Sequence, residues 1–260
     1  MHASTRQINN KPRHLSGWKR DRPDHRDVLF SGPLKAGAPI PKSADNSGKC
    51  SPVENQQDLG SCTANSSTSA MEYILIKTGR PLVELSRLFV YYYTRKIEGT
   101  PPTEDSGAYI RDVMKCLSYF GAPQEKLWPY DVSKFSIGPN YTAIRDAKLR
   151  RATRYLRCMG LDAIKRTIAE GYTSVGGFSV PENMMSDACS KTGIVQFPST
   201  DEPMIGGHAV HFIGYDDNTK LLKFQNSWGT GWGAKGFGFL PYDFVLKNLA
   251  DDFWTIRAET

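Results

Sequence analysis

Apolar residues follow a helical period in the first half of the chain. The segment 62–77 is apolar nearly all round in its middle, which is typical of a buried helix. Gly60 supplies a turn before it, Ser61 is a candidate N-cap, and Gly79 marks its end. Two further segments show helical spacing, 86–95 and 108–119. The pattern therefore predicts a helical region over about 50–140.

Strand-like patterns take over in the second half, from about residue 150. Five segments are predicted as strands: 174–178, 208–215, 221–225, 236–240 and 253–256. Their side chains alternate between two faces, so each strand can bury one face and expose the other. Periodicity alone thus predicts a mixed α and β chain.

Cys62 lies in the first turn of the predicted 62–77 helix. A thiol attacks a carbonyl only as the thiolate, and a free cysteine with a pKa of ~8.5 is mostly protonated at neutral pH. A helix N-terminus and a neighbouring imidazolium both lower that pKa. Because no histidine is near Cys62 in the sequence, a base must come from another part of the chain.

Five histidines are candidates for this base: His2, His14, His25, His208 and His211. The first three lie in an N-terminal stretch with few core-forming residues. The other two share a strand pattern and are three residues apart, so their side chains face opposite ways. His208 follows a two-glycine turn at the strand entrance, which suits a catalytic group, whereas His211 is expected to be packed and hydrogen-bonded. We therefore assign His208 as the base.

The sequence Asn-Ser-Trp-Gly at 226–229 follows a predicted strand. Taken alone, it predicts a turn in which Trp228 fills the core. Beside Cys62 and His208 a second interpretation is stronger. Asn226 could accept from the far imidazole nitrogen and orient the ring, as the third member of a triad does. Trp228 would then shield that hydrogen bond from water.

Gln56 lies six residues before Cys62. Its side-chain amide and the Cys62 N–H could form an oxyanion hole, in which each donor is worth about 2.7–4 kcal/mol in well-studied hydrolases. Gln57 competes with Gln56 for this role, because either amide could reach the thiol.

Together these residues resemble the papain-like cysteine proteases. Three stretches carry the resemblance: 52–62, 121–130 and 226–237. Cys62 and His208 are 146 residues apart, which is within the spacing expected of the family. The resemblance covers about residues 50–260 and selects Gln56 over Gln57, since the run up to Cys62 aligns without a gap.

The resemblance implies an α+β fold, the papain-like two-lobed fold, with the active-site cleft between a helical lobe and an antiparallel β-rich lobe. The implied parts are a prosegment-like tail at 1–45 and a peptidase domain at 46–260, with lobes at about 50–140 and 150–260. Cys62 would stand on one wall of the cleft and His208 on the other. Papain-like prosegments lie across the cleft, so we expect this short tail to run extended over or beside the site and limit access.

The resemblance also implies where a substrate would bind. A papain-like cleft takes an extended peptide through backbone hydrogen bonds. The corresponding substrate-binding residues are Gly107, Ala108, Gly207 and Trp228. The pocket for the second residue before the cut would be bounded by Ala108, Tyr109, Val175, Gly206 and Ala209, and we expect it to prefer apolar side chains. Alternatively, Ser106 and Gly107 merely start a helix.

These assignments predict a cysteine endopeptidase that needs no metal or cofactor. Cys62 would attack the scissile carbonyl, His208 would protonate the leaving amine, and water would hydrolyse the thioester. Transamidation or deamidation by the same thiol and imidazole is an alternative, and so is a catalytically silent binding protein. A metal site is disfavoured, because only His208 would converge on Cys62.

Two departures from the family pattern lie beside the nucleophile. The position three before it is usually a cysteine in a disulfide, and the position after it is usually tryptophan. This chain has Leu59 and Thr63 there. Neither change touches the chemistry, and the pattern is most similar to the bacterial, xylellain-type branch of the family.

Composition narrows the partners. The chain has 33 Lys and Arg against 27 Asp and Glu, a net charge of +6, without a long basic run. We therefore expect peptide or protein substrates, a monomer, and no nucleic acid or membrane partner. No signal peptide is visible, which leaves the compartment unknown. The other cysteines match no metal spacing or family disulfide and are expected to be reduced core residues: Cys50, Cys116, Cys158 and Cys189.

Overall fold

The structure is a computed structural model that describes residues 17–32 and 39–257. In chain order its elements are β1 (Trp18–Lys19), β2 (Ser43–Asp45), α1 (Cys62–Lys77), α2 (Arg87–Ile97), β3 (Ala108–Tyr109), α3 (Ile110–Tyr119), α4 (Tyr141–Ala147), β4 (Arg154–Cys158), α5 (Gly160–Ala169), β5 (Ser174–Pro181), α6 (Asp187–Thr192), β6 (Met204–Asp216), β7 (Leu221–Gln225), β8 (Phe237–Pro241), α7 (Asp243–Leu246) and β9 (Ala250–Arg257). Short 3-10 turns occur at Ser47–Lys49, Glu125–Leu127, Val132–Lys134 and Glu182–Met185.

Helix α1 has the bounds that the apolar pattern predicted. Its residues from Cys62 to Leu75 are buried, because β6 packs against one side while α2 and α3 pack against others. Ser61 precedes the helix, but the prediction that it caps the first turn is wrong. Its hydroxyl lies 2.6 Å from the Tyr130 hydroxyl instead. With φ −99° and ψ 19°, Ser61 lacks the extended backbone that side-chain capping needs.

The second lobe is built on a sheet of seven strands. Six are hydrogen-bonded in the order β4-β9-β5-β6-β7-β8, and β2 also pairs with β6. Each of these pairings is antiparallel. All five predicted strands are present. Several are longer than predicted, as β6 shows by starting at Met204, because their neighbours continue the ladder.

Two clusters of buried apolar side chains correspond to the two lobes. One includes side chains of α1, α2 and α3. The other lies between the sheet and helices α5 and α7, around Phe178, Phe212 and Phe224. The predicted α+β, two-lobed papain-like fold is therefore confirmed. Helix α1 packs against β6, so the start of α1 meets the sheet.

Residues 17–32 belong to the predicted tail and contact both lobes. Strand β1 pairs in parallel with β3 of the helical lobe, and Leu29 bridges in parallel to Arg157 of β4. The parts of the chain that lie outside the described residues are 1–16, with His2 and His14, 33–38 and 258–260.

Pairing with β1 explains one wrong boundary. The helix predicted over 108–119 begins only at Ile110, because Ala108 and Tyr109 form the strand β3 with β1. A second part of the predicted tail also belongs to the folded body. Strand β2 pairs with the far end of β6, where Ser43 is opposite Asp216.

Candidate active site

Cys62 is the first residue of α1 and is 1% exposed. The backbone N–H of Ala209 on β6 donates to the thiol, with an N to Sγ distance of 3.4 Å. Burial raises the pKa of the Cys62 thiol to about 12, while the N–H groups of Ala209 and Thr63 act in the opposite direction. In this arrangement the thiol is protonated, yet groups that would stabilise a thiolate already surround the sulfur.

His208 precedes Ala209 on β6, so the strand whose N–H reaches the thiol also carries the imidazole. Its Nε2 lies 2.8 Å from Asn226 Oδ1, and both side chains are buried. Asn226 follows β7 and is fixed by its own N–H, which donates to the Gly236 carbonyl. The Trp228 ring covers the imidazole, with the two ring centroids 4.7 Å apart. The hydrogen bond is thus held in an apolar surrounding.

His211 points away from this site. Its Nε2 lies 2.7 Å from Thr173 Oγ1 and its Nδ1 lies 3.2 Å from Gln225 Oε1. Complete burial lowers the pKa of His211 to about 4, which keeps the ring neutral. His25, the remaining described histidine outside β6, is exposed on the N-terminal segment. Of the described histidines, His208 is the one next to the residue whose N–H donates to the thiol.

Gln56 is buried in the loop before Cys62. The Ser227 hydroxyl donates to its Oε1 at 2.7 Å, and its Nε2 donates to the Leu59 carbonyl at 3.0 Å. These two contacts fix which end of the amide is the donor and direct it into the loop that ends at Cys62. Gln57 is exposed and has a positive φ of 54°, so it turns away from the site.

The N-terminal segment passes directly over the thiol at Gly17. Its carbonyl accepts from the Ala108 N–H at 2.9 Å. A Cβ built on this glycine would lie 2.6 Å from Cys62 Sγ, closer than any real carbon contact. Only a glycine therefore fits at this point of the path. The thiol is buried because the backbone of the chain itself covers it.

Trp18 fills the space beside Gly17. Its indole lies against Gly177, and a Cβ on Gly207 would lie 2.7 Å from its carbonyl oxygen. The indole Nε1 donates to Asp252 Oδ2 at 3.2 Å. Side chains of this wall include three members of the pocket that we expected to be apolar, all buried: Ala108, Val175 and Ala209. The same space holds a carboxylate that the expected pocket lacked.

Asp252 is the functional-site candidate that the sequence analysis missed. It is fully buried and adopts φ +58°, a conformation rare for a residue other than glycine. Arg157 donates to its Oδ1 at 2.9 Å, and the Asp21 backbone N–H donates to its Oδ2 at 2.6 Å. An acidic pair at 251–252 inside an otherwise apolar strand pattern is the signal that could have revealed it.

Charged side chains hold the rest of the segment. The Asp27 carboxylate accepts two hydrogen bonds from Arg111, at 2.8 and 2.7 Å, and one from Arg157 at 2.8 Å. Asp21 accepts from Trp254 Nε1 at 2.9 Å. Burial and the nearby Asp252 carboxylate raise the pKa of Asp21 to about 7.

The four predicted substrate-binding residues contact different parts of the molecule. Ala108 and Gly207 contact the N-terminal segment as described above. Gly107 has φ +66° and its N–H donates to the Tyr91 hydroxyl at 3.1 Å. Trp228 contacts the imidazole of His208.

Among residues 17–32 and 39–257, no group of three or more His, Cys, Asp or Glu side chains is placed to hold a metal ion. Within the same part of the chain, no helix has the length and apolar character needed to span a bilayer. The four cysteines outside the site are free thiols, and three of them are buried.

Comparison with known sequences agrees with this geometry. The family described as papain family cysteine protease matches residues 40–243. An uncharacterized peptidase C1-like protein of Acanthamoeba polyphaga mimivirus is 40% identical over 217 residues, which cover 79% of this chain and 70% of that protein. Cathepsin K of Gallus gallus is 28% identical over 243 residues, covering 89% of this chain and 68% of its own.

Comparison with solved structures includes xylellain, a cysteine protease from Xylella fastidiosa. It superposes with a TM-score of 0.87 at 33% identity, covering 98% of this chain and 100% of the xylellain chain. The likeness thus includes the N-terminal part of the chain as well as both lobes.

Proposed function

The chain belongs to the papain family of cysteine proteases, and on this premise we propose that it is an endopeptidase whose triad is Cys62, His208 and Asn226. The observation that carries the assignment is the buried contact between His208 Nε2 and Asn226 Oδ1, which are 2.8 Å apart. His208 lies on β6, and the N–H of the next residue, Ala209, donates to the Cys62 thiol. The contact leaves the other imidazole nitrogen, Nδ1, to exchange a proton with Cys62. Peptides or proteins are the substrates, and we expect a monomer.

The proposed reaction begins when His208 takes the thiol proton and the Cys62 sulfur attacks the scissile carbonyl carbon. The resulting oxyanion would accept from the Cys62 N–H and from the second amide hydrogen of Gln56, whose first is held by Leu59. Collapse breaks the C–N bond as His208 returns the proton to the leaving amine. Water, deprotonated by His208, then attacks the thioester, releasing the acid and the free thiol.

We propose that residues 17–30 limit access to this site. The support is the Gly17 backbone over the thiol, the Trp18 indole in the neighbouring pocket, and the ionic contacts of Asp27 further along. A substrate carbonyl has to occupy the space that Gly17 fills. The closed chain is therefore the inactive form of a zymogen-like enzyme, and the segment must be displaced or cut before hydrolysis.

We also propose that the pocket vacated by Trp18 favours a side chain with a hydrogen-bond donor. Both donors to Asp252 Oδ2, the Trp18 indole and the Asp21 N–H, belong to the segment that leaves. A buried carboxylate oxygen that loses its donors is costly, so a substrate side chain that replaces them is selected. We expect tryptophan or tyrosine to exceed leucine at this position by about fivefold in kcat/KM. In Asp252→Asn the preference for tryptophan or tyrosine over leucine should shrink. An unchanged ratio of the kcat/KM values would reject the proposed role of Asp252.

The decisive test of proteolysis is hydrolysis of a fluorogenic tripeptide amide under reductant by three full-length chains. The unchanged chain, Trp18→Ala, and Trp18→Ala with Cys62→Ala are compared. We expect low activity, raised activity and no activity, respectively. A matched control is Cys116→Ala, which removes a buried thiol of the helical lobe away from the site and should leave the rate unchanged. Activity that persists without Cys62 would overturn the proposal.

A further inference from the structure

We infer that Asp105 is a positioning residue that ties the loop carrying the nucleophile to the strand proposed to bind substrate. The Gly60 N–H donates to both oxygens of the Asp105 carboxylate, at 3.2 and 2.9 Å. On the other side the Tyr91 hydroxyl donates to Asp105 Oδ1. The same hydroxyl accepts from the Gly107 N–H at 3.1 Å. One carboxylate thus fixes two backbone segments of the helical lobe, directly at Gly60 and through Tyr91 at Gly107.

The loop before Cys62 is also held at other points. The Gln56 amide oxygen accepts from the Ser227 hydroxyl, and the Ser61 hydroxyl lies 2.6 Å from that of Tyr130. Residue 59 is leucine at the place where the resemblance predicts a disulfide cysteine. Next to it, the Gly60 N–H donates to the Asp105 carboxylate, which adds a link from outside the loop between these two anchors. Charge assistance roughly doubles the strength of such a hydrogen bond.

Asp105 is itself rigidly placed. Arg95 donates to the carbonyls of Pro102 and Glu104, each at 2.8 Å, so the residues before Asp105 cannot drift. The Arg95 guanidinium also lies 4.4 Å from the Tyr91 ring centroid. Tyr91 is fully buried, while Asp105 is only half-buried. The carboxylate therefore lies at the end of an exposed loop, 101–104, whose backbone Arg95 holds in place.

Electrostatics separates positioning from activation of the thiol. The Asp105 charge raises the pKa of Cys62, which opposes thiolate formation. A carboxylate so close to the nucleophile does not assist the attack through its charge. Its contribution must come from where it places Gly60 and, through Tyr91, Gly107.

Two substitutions separate the two links. Tyr91→Phe removes only the link to Gly107, so we expect KM to rise about fivefold to tenfold with kcat within twofold. Asp105→Ala releases both links, and we expect kcat to fall about a hundredfold, the effect of misplacing reacting groups by about 1 Å. Asp105→Asn keeps an acceptor for the Gly60 N–H and should restore most of that kcat.

The kinetic part rests on the proposed proteolysis, so the experiment also includes a readout that does not. Kinetics are measured in full-length Trp18→Ala, where the access is opened. Hydrogen exchange of segments 57–62 and 103–109 is measured in the full chain with Trp18 retained. The matched control is Asp146→Ala, whose carboxylate likewise accepts a backbone N–H, from Gln124, and pairs with Arg150.

Faster hydrogen exchange in both segments of Asp105→Ala supports the inference. So does a shift of the pH profile of kcat/KM: the limb that reports ionisation of the Cys62 thiol should move to lower pH when the Asp105 charge is removed. Unchanged exchange in both segments, or a kcat/KM for Asp105→Ala equal to that for Asp146→Ala, would overturn it. If the Trp18→Ala chain shows no hydrolysis, proteolysis has failed as a function. The exchange data then still decide the role of Asp105.

Discussion

Two sets of contacts lie side by side in the cleft, and they use opposite chemistry. The contact between His208 and Asn226 joins two polar side chains that are buried under the apolar cover of Trp228. The contacts that hold the N-terminal segment are formed largely by carboxylates and arginines, with Asp27 as their centre. Burial shields the first contact from solvent, so salt screens it little. Ionic contacts depend on pH and salt, which suits a segment that is proposed to leave.

The substitution with the largest expected effect on the rate removes the base, His208, and leaves the ionic contacts of the N-terminal segment intact. His208→Ala in full-length Trp18→Ala should lower kcat/KM at least a thousandfold, since the thiol loses its proton acceptor. In the chain that retains Trp18, the same substitution should leave hydrogen exchange of residues 17–21 unchanged. Loss of protection there would show that the two sets of contacts are coupled rather than separate.

The converse test removes the apolar anchor of the segment. Trp18 is 8% exposed, and truncating a buried tryptophan typically costs about 3 kcal/mol. Trp18→Ala should therefore raise the hydrolysis rate of the full chain by about tenfold to a hundredfold. The measurement is the initial rate against a tripeptide amide. An unchanged rate, with the fold intact by circular dichroism, would mean that the segment does not limit access.

Removing one charge tests the ionic contacts that hold the N-terminal segment. Asp27→Asn leaves Arg111 and Arg157 without their shared carboxylate, and we expect about a tenfold rise in the rate of the full chain. Salt by itself weakens these ion pairs in the unchanged chain. The difference in rate between Asp27→Asn and the unchanged chain should therefore be smaller at high salt than at low salt. Asp24→Asn is the matched control: it breaks only the pair with Arg26 within the segment and should have no effect.

The last test is a pH dependence. Because the docked segment raises the pKa of Asp21 to about 7, docking binds a proton that the free segment releases. Docking is therefore favoured fully below about pH 4 and weakens as the pH rises toward 7. The opening of the full chain should increase over this range. Asp21→Asn should abolish that part of the profile, and a profile identical to that of the unchanged chain would contradict the assignment.

Local patterns explain what the sequence predicted. The bounds of α1 and the strand that carries His208 follow from hydrophobic periods, whereas the two-lobed fold was predicted from the family resemblance of three separate stretches, 52–62, 121–130 and 226–237. Asp21, Asp105 and Asp252 were missed, because their partners are distant in sequence. Asp21 meets Trp254 across 233 residues, and Asp105 meets Gly60 across 45. Hydrophobic periodicity does not reveal an acidic side chain whose role depends on partners that are distant in the sequence.

Tertiary pairing also explains the wrong boundaries. Ala108 and Tyr109 have a sequence that can continue the following helix, but their backbone groups pair with β1. Ser61 has the residue type of a cap, but Tyr130 takes its hydroxyl. In each case a partner from elsewhere in the chain outcompeted the local preference.

The pairing of β2 with β6 has a consequence for how inhibition would behave. In the proposed opening, residues 43–45 would remain attached to the sheet while the segment at 17–30 lifts away, so the segment would stay tethered to the enzyme that it covers. Its effective concentration at the cleft would then be on the order of millimolar, whatever the dilution of the protein. Displacement would be self-reversing, and a rival peptide would have to outcompete an intramolecular partner. A cut between the two anchors would turn that partner into a dilutable inhibitor, making activation by cleavage depend on enzyme concentration.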